Sequence, residues 1–150
     1  MDEIRALYLI CEGVRDAKIL RTLLECESYQ KVYQIPAGGY GNLSSVARTI
    51  RLMRSPMESN DKIIIAFDAD SMSEQVGFER IATMRYLTNA EFDKRIGVFC
   101  FTPTIEQYLF HTDAQTLKKD NVMLIDYLKS HWTELKDMPV IKGMQAFINE

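Results

Sequence analysis

A chain of 150 residues with 47% apolar and 26% charged residues is typical of one globular domain and excludes a disordered protein. The net charge of −3 excludes a broadly basic nucleic-acid binder, and no apolar run approaches the length of a membrane span. The start MDEIRALYLI lacks the basic region of a signal peptide, and three scattered cysteines indicate no disulfide framework, so we expect a cytoplasmic protein without membrane contact.

Strands and helices alternate along the predicted chain. Short apolar runs predict four strands, at residues 6–11, 31–36, 62–68 and 96–101. Apolar residues at helical spacing predict helices at residues 14–25, 43–55, 73–87, 104–110, 121–132 and 140–150. Val14 belongs to the apolar face expected to point inward from the first helix, and Thr104 is the expected N-cap of the fourth.

This alternation predicts an α/β fold with a parallel four-stranded sheet flanked by helices and joined by right-handed crossovers. Residues 1–112 would form the core, and residues 113–150 a helical extension of the same domain. Sites in such folds lie beyond the carboxyl ends of the strands. We therefore expect the functional residues immediately after the four apolar runs.

Carboxylates occupy those positions. Glu12 follows the first strand, Asp16 lies one helical turn further on, and Asp68 and Asp70 end the third strand in the run KIIIAFDAD. Each acid alone is explained by helix-start or turn chemistry. Together at one sheet edge, with no histidine or cysteine pattern, they predict a site for Mg²⁺ or Mn²⁺ rather than zinc.

Two motifs resemble those of a known superfamily. The segment YLICEGVRDAKIL resembles the Glu-Gly motif of Toprim domains, and IIIAFDAD resembles their D-x-D motif. Toprim domains form the catalytic modules of topoisomerases, bacterial primases, small ribosomal-RNA maturases and the OLD (overcoming lysogenisation defect) nucleases. The resemblance covers roughly the first 110 residues in order and spacing, and it implies a Toprim-like, Rossmann-like sheet.

The nuclease branch is the most similar in detail. An Asp four residues after the Glu, as in Glu12 and Asp16, is typical of it, and TPTIEQYLFH resembles the P-x-x-E-x-[WY]-L-L pattern of OLD-like proteins. The resemblance implies a Mg²⁺- or Mn²⁺-dependent cleavage of DNA or RNA by one or two ions. The general base would be either Glu106 or Glu12. Alternatively, Glu106 would complete a second metal site. Lys142 would offset developing negative charge.

The second strand is followed by a glycine-rich loop, AGGYGN. This loop has two possible interpretations. It is either a strand-to-helix turn whose glycines adopt positive φ, or a phosphate-binding loop at the start of a helix. The candidate phosphate or nucleic-acid ligands in this loop are Gly38, Gly39, Tyr40 and Gly41, with Tyr40 available for base stacking.

Basic residues follow this loop. No acid occurs between Ser28 and Met57, whereas three arginines recur there at every third position of the predicted helix. Three such cations usually form a solvated face, but beside a phosphodiesterase site they would bind a nucleic-acid backbone. The residues are Arg48, Arg51 and Arg54.

Two other functions stay open. The runner-up is a non-hydrolysing, metal-dependent module that senses nucleic acid or nucleotides through a partner protein. A receiver-like domain fits poorly, because it needs paired acids after the first strand and one Asp after the third. The chain lacks the ATPase of full OLD-type enzymes, so by family analogy an ATPase partner in trans, and a role as a toxin or anti-phage effector, are further expectations.

Overall fold

The computed structural model describes residues 5–53, 60–110 and 121–150. Its four strands are β1 (Ala6–Cys11), β2 (Lys31–Pro36), β3 (Lys62–Asp68) and β4 (Ile96–Phe101). They form one sheet in the order β2-β1-β3-β4, and every neighbouring pair is parallel. The predicted α/β class and all four predicted strands are therefore confirmed.

Helices connect and flank the strands. They are α1 (Val14–Leu23), α2 (Leu43–Met53), α3 (Glu74–Thr88), α4 (Ile105–Phe110), α5 (Asn121–Ser130), α6 (Trp132–Leu135) and α7 (Pro139–Asn149). The Thr104 hydroxyl accepts a hydrogen bond from the backbone N–H of Gln107 at 3.2 Å, which confirms the predicted N-cap of α4. Each helix of the described ranges is too short or too polar to cross a membrane.

The sheet has a buried cluster on each face, because successive strand residues point to opposite sides. Leu9 belongs to the cluster covered by α1, α4, α5 and α7, whereas its neighbour Ile10 belongs to the cluster covered by α2 and α3. Both side chains are fully buried. Burial on two faces explains why the central strands β1 and β3 are continuous apolar runs, whereas the edge strand β2 is largely exposed and carries Lys31 and Gln34.

One predicted core residue is outside the core. Val14 is 68% exposed, although its helical spacing predicted an inward position. It is the first residue of α1, and side chains of a helix lean toward the N-terminus. That direction takes the Val14 side chain away from the turns of α1 that cover the sheet.

Helix α7 completes the core and is tied to the amino edge of the sheet. Ile141, Met144 and Ile148 are buried in the same cluster as Leu7 and Leu9 of β1. The ammonium group of Lys62 donates to the Phe147 carbonyl oxygen and, at 3.2 Å, to that of Glu150. Within the described part of the predicted extension, residues 121–150, helices α5 and α7 thus pack on the sheet.

Candidate metal centre

Three carboxylates meet at the carboxyl edge of the sheet. Glu12 follows β1, Asp16 lies in the first turn of α1, and Asp68 is the last residue of β3. One carboxylate oxygen from each lies within 4.8 Å of the other two, and all three residues are partly buried. The structure therefore brings together three of the four predicted metal ligands.

Burial, together with the neighbouring charges, raises the pKa of two of the acids. Burial, followed by the charges of Asp16, Asp70 and Glu106, raises the pKa of Asp68 to about 7, although a hydrogen bond from the Ile105 backbone opposes the shift. Burial and the charges of Asp68 and Asp70 likewise raise the pKa of Glu12. The centre thus gathers acids whose charged forms are disfavoured by burial and by their mutual repulsion.

The donor set suits a hard cation. Cys11 adjoins the centre, but burial and then the charges of Asp16, Asp68 and Glu12 raise the pKa of its thiol, which therefore stays protonated. The ligand atoms on offer are carboxylate oxygens, which Mg²⁺ and Mn²⁺ prefer over nitrogen or sulfur. A bound divalent cation would also relieve the repulsion among the acids, which adds to the effect of burial on the pKa of Asp68.

Asp70, the fourth predicted ligand, does not join this group in the described ranges. Its backbone is left-handed, with φ 52°, and its N–H donates to the Pro103 carbonyl oxygen at 2.9 Å. The extended run of β3 has therefore ended, so the alternation that would place Asp70 beside Asp68 no longer applies. The Asp70 carboxylate is exposed and lies 4.0 Å from Nη1 of Arg80.

Arg80 is a functional candidate that the sequence analysis missed. Its Nη1 donates to the backbone carbonyl oxygen of Asp68 at 3.1 Å. Its guanidinium lies over the ring of Tyr40, 4.7 Å from the ring centroid. Because side chains of a helix lean toward its N-terminus, an arginine two turns into α3 reaches back to the strand end that precedes the helix. That spacing from the D-x-D motif was the signal available in the sequence.

Glu106 lies near Asp68 and is paired with a second overlooked arginine. Nε of Arg15 is 3.6 Å from Oε1 of Glu106, and the Glu106 side chain is only 12% exposed. Its charge contributes to the raised pKa of Asp68. Arg15 precedes Asp16 in α1, so one helical turn supplies the centre with both an acid and a cation.

The glycine-rich loop packs against the end of β1. Gly38 and Gly39 have φ of 85° and 139°, which confirms the turn geometry expected of them, whereas Gly41 has no positive φ. The Gly38 N–H donates to the Glu12 carbonyl oxygen at 3.0 Å, so it is engaged within the chain. Tyr40 packs edge-on against Phe67, with ring centroids 5.2 Å apart.

Of the three predicted backbone-binding arginines, Arg48 and Arg51 lie on α2, which leads from the end of β2 back toward the start of β3 and so away from this edge. Nε of Arg51 lies 3.4 Å from Oδ2 of Asp93, which is just before β4 and hence at the amino edge. Arg48 is exposed, and Arg54 lies outside the described residues. The structure thus does not bring Arg51 to the carboxylates.

Lys142 also lies apart from the acids. It is exposed on α7 and lines a cavity with Leu23, Trp132 and Lys136, to which none of the acids of the centre contributes. Helix α7 does begin near the carboxyl edge, where the Val140 N–H donates to the Tyr108 hydroxyl at 3.0 Å. The structure gives Lys142 no contact with the centre.

No family model matches the sequence, and neither a curated protein nor a solved structure matches it significantly. The resemblance to Toprim domains therefore stays a prediction from sequence motifs, and the chemistry has to be argued from the side chains at the carboxyl edge.

Proposed function

We propose that this protein is a metal-dependent nuclease that hydrolyses phosphodiester bonds of DNA or RNA. The observation that carries the proposal is the meeting of Glu12, Asp16 and Asp68, with one oxygen of each within 4.8 Å of the others. The order of the Glu-Gly and D-x-D motifs, which resembles that of Toprim nucleases, supports it independently.

Glu12, Asp16 and Asp68 would hold Mg²⁺ or Mn²⁺. Bound there, the ion would polarise a phosphoryl oxygen and lower the pKa of a coordinated water. Asp68 would contribute a carboxylate oxygen to the ion, and its Oδ1 accepts a hydrogen bond from the N–H of Ile105 at 2.7 Å. That hydrogen bond orients the carboxylate before any ligand arrives.

The remaining residues handle protons and charge. Hydrolysis forms a bond from a water oxygen to phosphorus and breaks one from phosphorus to a sugar oxygen, which finally takes up a proton. Glu106 is the acid best placed to accept the proton of the attacking water, because it lies beside Asp68 and is held by Arg15. It could instead serve a second ion, as the sequence resemblance implies.

Cleavage assays test the proposal. Plasmid, single-stranded DNA, transfer RNA and ribosomal RNA would be incubated with the protein and Mg²⁺ or Mn²⁺. An Asp68→Asn variant keeps the acceptor for the Ile105 N–H but loses the charge, and Asp137→Asn removes an exposed carboxylate from the loop before α7. We expect metal-dependent cleavage by the wild type and by Asp137→Asn, and none by Asp68→Asn.

Two outcomes would redirect the proposal. Cleavage that Asp68→Asn retains would place the activity elsewhere or in a contaminant. If nothing is cut but Mg²⁺ raises the Tm of the wild type and not of Asp68→Asn, the non-hydrolysing metal-dependent module becomes the better reading. Repeating the assay with cell extract would then look for a partner, such as the ATPase that the family resemblance implies.

A further inference from the structure

Arg80 has donors to spare beside the metal centre. A guanidinium carries five N–H donors, and within the described residues its one hydrogen bond goes to the Asp68 carbonyl oxygen, at 3.1 Å. The Asp70 carboxylate lies 4.0 Å away, which is beyond hydrogen-bond distance. The side chains of Arg80 and Asp70 are 31% and 61% exposed, so solvent reaches the space between them.

The guanidinium is nevertheless held in position. Its central carbon lies over the Tyr40 ring, 4.7 Å from the ring centroid, and that ring packs edge-on against the buried Phe67. A planar fork that is already oriented loses little rotamer freedom when it binds a tetrahedral anion. Arg80 is therefore arranged as an anion-binding group rather than as a solvated surface cation.

The negative charge near Arg80 explains why a phosphodiester needs a cation at this edge of the sheet. The carboxylates of Glu12, Asp16 and Asp68 repel any phosphodiester that approaches the centre. An ion on those carboxylates would offset part of this repulsion, and a cation beside them offsets more. Arg80 supplies that cation at the carboxyl edge, next to Asp68.

We propose that Arg80 binds a phosphate of the substrate strand beside the metal centre, and that Asp70 faces the same guanidinium when no phosphate is bound. The inference deepens the proposed nuclease function and rests on it. The exposed Asp70 is a weak ion-pair partner, so a phosphate with better hydrogen-bond geometry displaces it at little cost.

Oligonucleotide binding in the absence of metal tests whether Arg80 binds a phosphate. Fluorescence anisotropy with a short labelled single-stranded oligonucleotide in EDTA reports affinity, with no cleavage. We expect Arg80→Gln to weaken binding about tenfold and to reduce the salt dependence by about one phosphate contact. Arg85→Gln removes the same charge from the last turn of α3 and should change the affinity little. The affinity of Arg80→Lys for the oligonucleotide should lie between those of the wild type and Arg80→Gln.

A double-mutant cycle tests whether Asp70 and the phosphate compete for Arg80. Asp70→Asn suits the left-handed backbone at φ 52° and removes the competing charge, so we expect about threefold tighter binding. On the Arg80→Gln background this gain should vanish. Glu79→Gln is the matched control, because Glu79 is an exposed acid of α3 whose carboxylate accepts from Gln75. Glu79→Gln should change the affinity for the oligonucleotide equally in the wild type and in Arg80→Gln.

The outcomes separate this inference from the nuclease proposal. Equal losses in Arg80→Gln and Arg85→Gln would overturn the phosphate role, while cleavage by the wild type would leave the nuclease standing. An equal gain from Asp70→Asn on both backgrounds would overturn the competition. A wild type that neither cuts nor binds would overturn both proposals. Thermal melting checks that Arg80→Gln folds; if it does not, Arg80→Lys and the comparison of Asp70→Asn with Glu79→Gln decide.

Discussion

Oδ1 of Asp68 accepts a hydrogen bond from the backbone N–H of Ile105 at 2.7 Å. This bond joins the end of β3 to the first residue of α4, and it brings Glu106, the next residue, beside the metal centre. It also makes Asp68 both a structural acceptor and a candidate ligand. An asparagine keeps the first role and loses the second, which makes Asp68→Asn the most informative single change.

We expect Asp68→Asn to stabilise the metal-free protein at pH 8. Since the pKa of Asp68 is raised to about 7, the folded state holds a proton that the unfolded state has released, and stability falls as the pH rises from about 4 to about 7. Removing the charge should recover about 1–2 kcal/mol, or roughly 2–8 °C in Tm. The gain should be smaller at pH 5, where Asp68 is already neutral.

Melting curves in EDTA at pH 5 and pH 8 check this expectation. Addition of Mg²⁺ at pH 8 should reverse the order of the two proteins, because only the wild type gains a bound ion. Equal Tm values for wild type and variant at both pH values would mean that Asp68 is solvated and unperturbed by its neighbours.

Metal affinity should distinguish Asp16 from Asp70. Asp16 contributes an oxygen to the group of three, whereas Asp70 faces Arg80. We expect Asp16→Asn to weaken Mn²⁺ binding at least about tenfold and Asp70→Asn by less than about threefold, because affinity follows the number of ligand charges. Titration of Mn²⁺ followed by electron paramagnetic resonance measures both. The reverse ranking would restore Asp70 as a ligand that moves to the ion on binding.

The glycine-rich loop should be sensitive at Gly39 and tolerant at Gly41. Gly39 has φ 139° and ψ 163°, a conformation that only glycine adopts readily, while a Cβ on Gly41 would meet open space. Gly39→Ala should cost about 1–3 kcal/mol of unfolding free energy, and Gly41→Ala less than about 0.5 kcal/mol. Urea denaturation of the two variants gives the comparison, and similar losses in both would argue against backbone strain as the cause.

The amino edge offers a test that is independent of the metal centre. The buried Asp93 accepts from the backbone and guanidinium of Arg95 at 2.9–3.0 Å and is paired with Arg51. The side-chain hydrogen bond from Arg95 holds the pKa of Asp93 below its ordinary value, so its contribution to stability is present above about pH 4 and is lost as the pH falls through the folded-state pKa.

Asp93→Asn should therefore cost about 2–3 kcal/mol at pH 7, with a difference from the wild type that narrows below about pH 4. Denaturant midpoints across that pH range would reveal the narrowing. The proposed nuclease activity per folded molecule should be unchanged, since Asp93 lies at the opposite edge from the carboxylates. A loss of activity without a loss of stability would contradict that placement.

The central strands β1 and β3 were predictable because a strand buried on both faces requires a continuous apolar run, and the bounds of all four predicted strands match the structure. The helix faces were less predictable at their ends. Helical spacing does not say where a helix stands relative to the sheet, so Val14 fits the apolar face by period yet is exposed.

The candidate site was predictable only in part. The rule that strand ends share one edge predicted that Glu12, Asp16 and Asp68 would meet. Alternation along an extended strand misplaced Asp70, since no residue pattern announced the left-handed backbone there. Arg15 and Arg80 were missed because helix arginines are common, and their partners come from distant parts of the chain.

The position of helix α7 late in the sequence affects when the acidic centre can assemble during synthesis. Glu12, Asp16, Asp68 and Glu106 all leave the ribosome before the residues of α7, yet those residues cover one face of the sheet that positions the acids. We expect a nascent chain that lacks α7 to hold every acid of the centre without the packing that sets their spacing. For a protein proposed to cut nucleic acid, assembly of the centre would thus wait until α7 has been synthesised and has packed on the sheet.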